Sequence, residues 1–366
     1  FNIKRELMEK ETILIGLSGG VDSAASAVIL KDKGYHVIGA TMIVWDPSLP
    51  VPEGPYHKNA CLAPEKEDLE EVEKIAKHLG IDFVKVDCRD PYRRAVLDNF
   101  RLEYSCGRTP NPCVLCNSLI KFGVLPSAAE KQGIKFDKFA TGHYARVEFD
   151  EKTGKYLLKK AKDLSRDQSY FLHRLTQRQL SRVLFPLGEM TKPAIREIAR
   201  KAGLEVADKE DSQDFYCGDY NDLLNFPSKP GDIVTLDGQV VARHEGLWHY
   251  TIGKRKGLGI SGFKTPMYVV RLDAVKNQVV IGPKEALYSQ KLTAQRVSWV
   301  AGEAPAQEFT CEIKIRNLHT PAKASVRVLE NGRIEAEFAE PQMSITAGQS
   351  AVMYDGDIVL GGGIIE

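Results

Sequence analysis

One short segment, Ile13-Leu14-Ile15-Gly16-Leu17-Ser18-Gly19-Gly20-Val21-Asp22-Ser23, constrains this chain more than any other. An apolar run leads into a glycine-rich turn and then a helix start, so the segment reads as strand, tight loop and helix N-terminus. Glycines let backbone approach an anion with no side chain between. The first N–H groups of a helix point outward at the positive end of its dipole. Ser18 and Ser23 add hydroxyl donors. Gly16, Leu17, Ser18, Gly19, Gly20, Val21, Asp22 and Ser23 are therefore expected to cradle a pyrophosphate group. No lysine follows the glycines, which separates the segment from Gly-x-x-x-x-Gly-Lys-Ser/Thr loops, and the spacing is not Gly-x-Gly-x-x-Gly.

Strand and helix patterns alternate over the first 210 or so residues. Strands are predicted at 13–17, 36–44, 82–86 and 138–141, and helices at 22–33, 66–79, 117–129 and 191–202. That alternation implies an open parallel sheet, a Rossmann-like α/β domain in which ligands sit beyond the C-terminal strand ends. Met42 and Gly142 should then line the same pocket as the glycine turn, whereas Gly39, earlier in its strand, should only pack. From Tyr216 to about Lys264 the chain is rich in Gly, Asp and Lys with short apolar runs, and from about Met267 onward short alternating strands are separated by Asn-Gly, Asp-Gly and Gly-Pro turns. Strands are expected at 267–272, 278–281, 296–299, 312–315, 324–329, 333–338, 350–354 and 357–362, enough to close a small barrel. The division implied is an α/β domain over 1–210, a small central domain over 211–270 and a C-terminal β-barrel over 271–366.

With 366 residues, 43% of them hydrophobic, the chain can bury a large core. No run of about eighteen apolar residues is evident, and residues 1–11 are charged. No membrane association is expected, and a cytoplasmic location is. Seven cysteines in a reducing compartment read as buried hydrophobes, reactive thiols or metal ligands. A net charge of +1 means that a nucleic-acid partner would be held by local basic patches, such as Lys254-Arg255-Lys256.

The second strong motif is Thr109-Pro110-Asn111-Pro112-Cys113-Val114-Leu115-Cys116-Asn117. Two prolines stiffen a loop that delivers Cys113 and Cys116 just before a helix, where the dipole would favour a thiolate. Cys116 is the nucleophile candidate. Cys217 lies far downstream. The three thiols could hold three irons of a [4Fe–4S] cluster, or they could run persulfide chemistry with one carrier and one resolving thiol. Cys61, Cys88, Cys106 and Cys311 are read as packing residues.

The glycine turn resembles Ser-Gly-Gly-x-Asp-Ser, the PP-loop of ATP pyrophosphatases. Further motifs are Thr-Pro-Asn-Pro-x-x-x-Cys-Asn, Ala140-Thr141-Gly142-His143-Tyr144-Ala145, Asp167-Gln168-Ser169-Tyr170-Phe171-Leu172, Ile252-Gly253-Lys254-Arg255-Lys256-Gly257-Leu258-Gly259 and the closing Leu360-Gly361-Gly362-Gly363-Ile364-Ile365. Together they resemble the bacterial tRNA-specific 2-thiouridylase (MnmA) family over essentially the whole chain. The resemblance implies ATP-dependent replacement of the wobble uridine's C2 oxygen by sulfur, with the anticodon loop of tRNA and a sulfur donor or sulfur-relay protein as partners. By similarity, Met42 and Gly142 frame the adenosine and Mg²⁺ bridges the phosphates. Cys116 is the nucleophile, and in a persulfide route its sulfur–sulfur bond is cleaved by the downstream thiol, with Cys116 and Cys217 as the pair. Asn111, Pro112 and Cys113 touch the target base, and His143, Arg166, Asp167, Gln168, Arg316, Asn317 and Gln349 contact tRNA. The family's downstream cysteine falls where this chain has Tyr216, with Cys217 one residue later after Ser212-Gln213, and some members carry Asp in place of Cys113. Competing readings are an amidotransferase-type or synthetase-type PP-loop enzyme, and a non-catalytic tRNA-binding protein.

Overall fold

The computed structural model describes residues 10–51, 60–63, 66–211 and 214–366; Ser212, Gln213 and most of the charged 1–11 stretch lie outside them. Strands β1 (Thr12–Gly16), β2 (His36–Ile43), β3 (Asp82–Asp87), β4 (Lys138–Ala140) and β7 (Val183–Leu184) form a parallel sheet in the order β3-β2-β1-β4-β7. Ile13, Leu14 and Ile15 of β1 are fully buried, as a central parallel strand covered on both faces requires. Ile13 and Ile15 pack with helices α1 (Val21–Asp32), α2 (Lys66–Leu79) and α4 (Lys192–Lys201). Leu14 packs on the other face, with Ile120, Phe122, Leu125 and Ala129 of helix α3 (Pro112–Lys131). The chain leaves β1 for β2 on one side and returns to β4 on the other, so the sheet's switch point lies between the ends of β1 and β4.

Helix α3 begins at Pro112, five residues earlier than its periodicity suggests, because the stiff Pro-Asn-Pro segment leads directly into the first turn. By length and mean hydropathy α3 could cross a membrane, although it is no continuous apolar run. Its apolar residues Ile120, Phe122, Leu125 and Ala129 are instead buried against the sheet.

A second sheet has the order β10-β11-β8-β9, from β8 (Gly231–Thr235), β9 (Val240–His244), β10 (Tyr268–Asp273) and β11 (Gln278–Gly282). The strands expected at 267–272 and 278–281 therefore do not help to close the barrel. β11 runs parallel to β8 with Gln278 opposite Asp232. The barrel is built from β12 (Tyr288–Trp299), β13 (Glu308–Lys314), β14 (Ala322–Val328), β15 (Ile334–Met343), β16 (Ser350–Asp355) and β17 (Ile358–Ile365), and β12 closes it by pairing with β17. Alternation drives it: Ala324, Val326, Ile334, Ala336 and Phe338 point inward, while Lys323, Ser325 and Arg327 face solvent. A hairpin from the α/β part, β5 (Ala145–Asp150) and β6 (Lys155–Lys160), extends this sheet where Lys159 meets Ile358.

Candidate active site

At the end of β1 the Leu17 N–H still bonds to Ala40 O at 2.8 Å, and Gly19 then turns with φ +73°, a conformation that favours glycine. Helix α1 has no side-chain cap, which leaves its first N–H groups for an anion. Leu17 and Val21 bury their side chains, so only their backbone can face a ligand. Ser23 Oγ donates to Gly20 O at 3.0 Å, accepts from Ser18 N at 3.2 Å and lies 3.3 Å from Ser18 Oγ. Gly142, at the end of β4, sits against this turn: a Cβ there would lie 2.7 Å from Asp22 C and Ser23 N. Gly39 packs as expected, since its Cβ would meet Leu17 Cδ1 at 2.7 Å. Met42 is half-buried at the neighbouring strand end.

A charged lattice holds the start of α1. Lys192 Nζ donates to both Asp22 oxygens at 2.8 and 2.9 Å and to Asp211 Oδ1 at 2.5 Å, and Tyr144 OH donates to Asp22 at 2.8 Å. Arg166 completes it, bonding Asp211 Oδ2 at 2.8 Å. Burial works against the Asp211 charge, yet Lys192, Arg166 and Arg196 hold its carboxyl below the usual range. Lys209 reaches Gly19 O at 3.3 Å and also pairs with Glu71.

The Asp167 carboxylate accepts from Ala161 N, Ser169 N and Ser169 Oγ, and Gln168 Oε1 accepts from Tyr144 N at 3.0 Å. Both shape the loop around Tyr144, and Arg166 is the member of the trio that faces solvent. His143 is buried, with Nδ1 2.8 Å from Thr141 Oγ1 and its ring against Phe122. Burial and then the Lys121 charge hold its pKa well below the usual value, so it forms a neutral wall between the glycine turn and α3.

Cys113 and Cys116 are half-buried on α3, and the stretch Cys116–Val124 has π-helical geometry, an uncommon widening that recurs at functional sites. The expected dipole-lowered thiol is not what the fold provides. Burial pushes Cys116 up to about 11, with Lys121 pulling it down and Cys61 pushing it up. Cys113 is likewise raised, by burial, then by Cys61 and Cys116. Cys88 and Cys311 are packing residues, but Cys61 and Cys106 are exposed. Cys217 is 1% exposed in the apolar cluster with Phe215 and Tyr216. Among the described residues no three His, Cys, Asp or Glu side chains are placed to hold a metal. Cys113, Cys116 and Cys217 thus do not form the three-thiolate cradle that a cluster needs.

The loop ahead of α3 is clamped from outside. Thr109 N donates to Ala347 O at 2.9 Å, Gln349 Nε2 donates to Thr109 O at 2.8 Å, and Thr109 Oγ1 donates to Thr251 Oγ1 at 3.3 Å. Arg316 bonds Met343 O and Ser344 O, bracing the same barrel loop, and Asn317 Oδ1 is buried with no partner among the described residues. Asn111 is the extended residue just before α3, followed by Pro112 in its first turn. Sequence reasoning missed Lys121, Lys192 and Asp211. Lys192 carried a signal: a cation in a helix's first turn opposes the dipole and needs an anionic partner.

The profile of the tRNA methyl transferase HUP domain matches residues 11–217, that of the tRNA methyl transferase PRC-barrel domain residues 224–283, and that of the aminomethyltransferase beta-barrel domain residues 289–365. The chain is 55% identical over 360 residues to a tRNA-specific 2-thiouridylase MnmA from Endomicrobium trichonymphae, covering 98% of this chain and 100% of the relative. A protein of the same description from Geobacter metallireducens is 43% identical over 365 residues, covering 98% and 97%.

Proposed function

Since the chain belongs to the tRNA-specific 2-thiouridylase family, we propose that it is an ATP-dependent sulfurtransferase that converts the wobble uridine of tRNA to 2-thiouridine in the cytoplasm. The observation that carries this reading is the junction at the switch point. Gly142 abuts the uncapped start of α1, and His143, which follows it, packs its ring on Phe122 of the helix that carries Cys113 and Cys116, so one short segment touches both the glycine turn and the cysteine-bearing helix. ATP would lie with its phosphates on Gly16 to Ser23 and its adenosine toward Met42. Mg²⁺ would be held mainly by those phosphates and by water, because both Asp22 oxygens, the carboxylate of the turn, are engaged by Lys192.

A uridine carbonyl oxygen is a poor leaving group. Attack of O2 on the α-phosphate expels pyrophosphate into the turn and makes C2 electrophilic, with the N–H groups of α1 and Lys209 stabilising the departing charge. The outer sulfur of a persulfide on Cys116 attacks C2 and AMP leaves. A second thiol then cleaves the sulfur–sulfur bond, and a thiol reductant resets the pair. Cys113, one helical turn from Cys116, is better placed for this than the buried Cys217, which the sequence put in that role. Single-stranded bases can be splayed from their stack into such a pocket. Neither an amidotransferase reading nor a non-catalytic one accounts for the Pro-Asn-Pro-Cys-x-x-Cys loop.

Pyrophosphate release from ATP and tRNA is the test. Asp22→Ala and Ser23→Ala should each lower it by about a hundredfold or more while tRNA affinity changes by less than about twofold, because the cradle is separate from the RNA surface. Undiminished release by either variant would remove the turn from the reaction.

A further inference from the structure

Within residues 60–63, Leu62 makes an isolated bridge to the segment that carries Cys217, with the backbone bent at Cys61 and Ala63 on either side of it. Leu62 N donates to Phe215 O at 2.7 Å and Cys217 N donates to Leu62 O at 3.3 Å, in a parallel bridge between Leu62 and Tyr216. Ala60, Leu62 and Ala63 are buried in the cluster against which Cys113 and Cys116 pack. Cys61, between buried Ala60 and buried Leu62, is itself exposed. It is also a neighbour of the thiol pair, since Ala60 and Leu62 on either side of it are buried in the cluster on which Cys113 and Cys116 pack, near enough for a thiolate at Cys61 to be felt at both sulfurs. Exposure alone would choose Cys61 or Cys106. Proximity separates them: Cys61 is joined through Leu62 to that cluster, whereas Cys106 sits past the end of the helix Asp98–Ser105, beside Ser105.

We propose that Cys61 is a relay thiol that takes sulfur from a persulfide on an external protein and passes it to Cys116, a step that rests on the thiolation reading above. An external protein's persulfide has to reach a surface thiol, and Cys116 is half-buried on a helix that packs into the core. The chemistry balances without oxidant or reductant. The Cys61 thiolate attacks the outer sulfur of the donor persulfide, the donor cysteine leaves as thiolate, and Cys61 becomes a persulfide. The Cys116 sulfur then attacks that outer sulfur, the bond to Cys61 breaks, and the proton lost by Cys116 passes to the Cys61 thiolate. Lys121, which favours charge on Cys116, assists the second transfer.

The test uses the full chain with a cysteine desulfurase charged with radiolabelled cysteine as donor. In Cys116→Ser the label should stop on Cys61, read by mass spectrometry as one additional sulfur on the peptide that carries it. Cys61→Ser should thiolate tRNA at least about tenfold more slowly with that donor, and excess glutathione persulfide, small enough to reach Cys116 directly, should restore it. That rescue also shows that the variant is folded. Label on Cys116 of the Cys61→Ser protein at the wild-type rate, or no label on Cys61 in Cys116→Ser, would overturn the relay. Wild-type pyrophosphate release is measured beside these, so a failure of the thiolation reading is distinguishable from a failure of the relay.

Discussion

Lys192 shows how one side chain can decide whether a phosphate loop exists. It is buried between Asp22 and Asp211, whose side chains are 28% and 32% exposed. Lys192→Met keeps the volume and leaves two carboxylates facing each other. Breaking a fully buried pair costs ~3–5 kcal/mol, and partial exposure brings this to about 2 kcal/mol. The loss, read by denaturant unfolding near neutral pH, should shrink as the medium is made acidic enough to protonate one carboxylate, and pyrophosphate release should fall with it. Cys116 gives a second prediction. Its thiol is pushed from 9.0 to about 11, so its alkylation by iodoacetamide should still be rising with pH above 9. Between those values the folded protein keeps a proton that the unfolded chain has released, so this group lowers stability as pH rises through that window. Lys121→Met should move the alkylation profile higher, and a profile that levels off near neutral pH would contradict the burial argument.

Among the elements, the join between α1 and β4 has the least tolerance. Gly142→Ala would drive a Cβ into the Asp22 and Ser23 backbone at 2.7 Å and force the helix N-terminus away from the strand end. Overpacking of this kind costs ~1–3 kcal/mol, and a displacement of about 1 Å in a positioned site costs ~100-fold in rate. Thermal unfolding should therefore shift modestly while adenylation collapses; the reverse pattern would mean that Gly142 serves packing alone. Local pattern made much of this legible: the buried strand at Ile13 to Ile15, the glycine turn, and the alternation of Ala324 and Val326. What stayed hidden depends on partners remote in sequence. The 231–244 strands carry exposed Val240 and half-buried Val241 and pair within a small sheet, so their hydrophobic signal is weak. Cys61 stands apart from any motif, and only the pairing of Leu62 with Tyr216 brings it to the thiols. Lys121 meets Cys116 through the packing around a π-helical stretch that no periodicity announces.

Across the whole molecule, loops from all three parts meet at Thr109, which donates to Ala347 O of the barrel and to Thr251 Oγ1 and accepts from Gln349 Nε2. Next to that contact Lys254 bonds His249 O and lies over Tyr250, with Arg255 and Lys256 exposed beside it. If this turn meets phosphates, replacing Lys254, Arg255 and Lys256 with Gln should weaken tRNA binding and lower the slope of log affinity against log salt by up to ~3. Unchanged slope and affinity would make it a solvated charge run. The β5–β6 hairpin carries a different consequence, one of time. Its inner strand, β6, pairs with β5 on one side, and its other side meets a partner only at Ile358, roughly two hundred residues downstream of Lys159. At ~5–20 residues per second, a ribosome would need about 10–40 s to deliver that partner, and meanwhile the strand edge stands open to any other chain. Synthesis of this protein should thus be most prone to aggregation in that interval, before its last strand has been made.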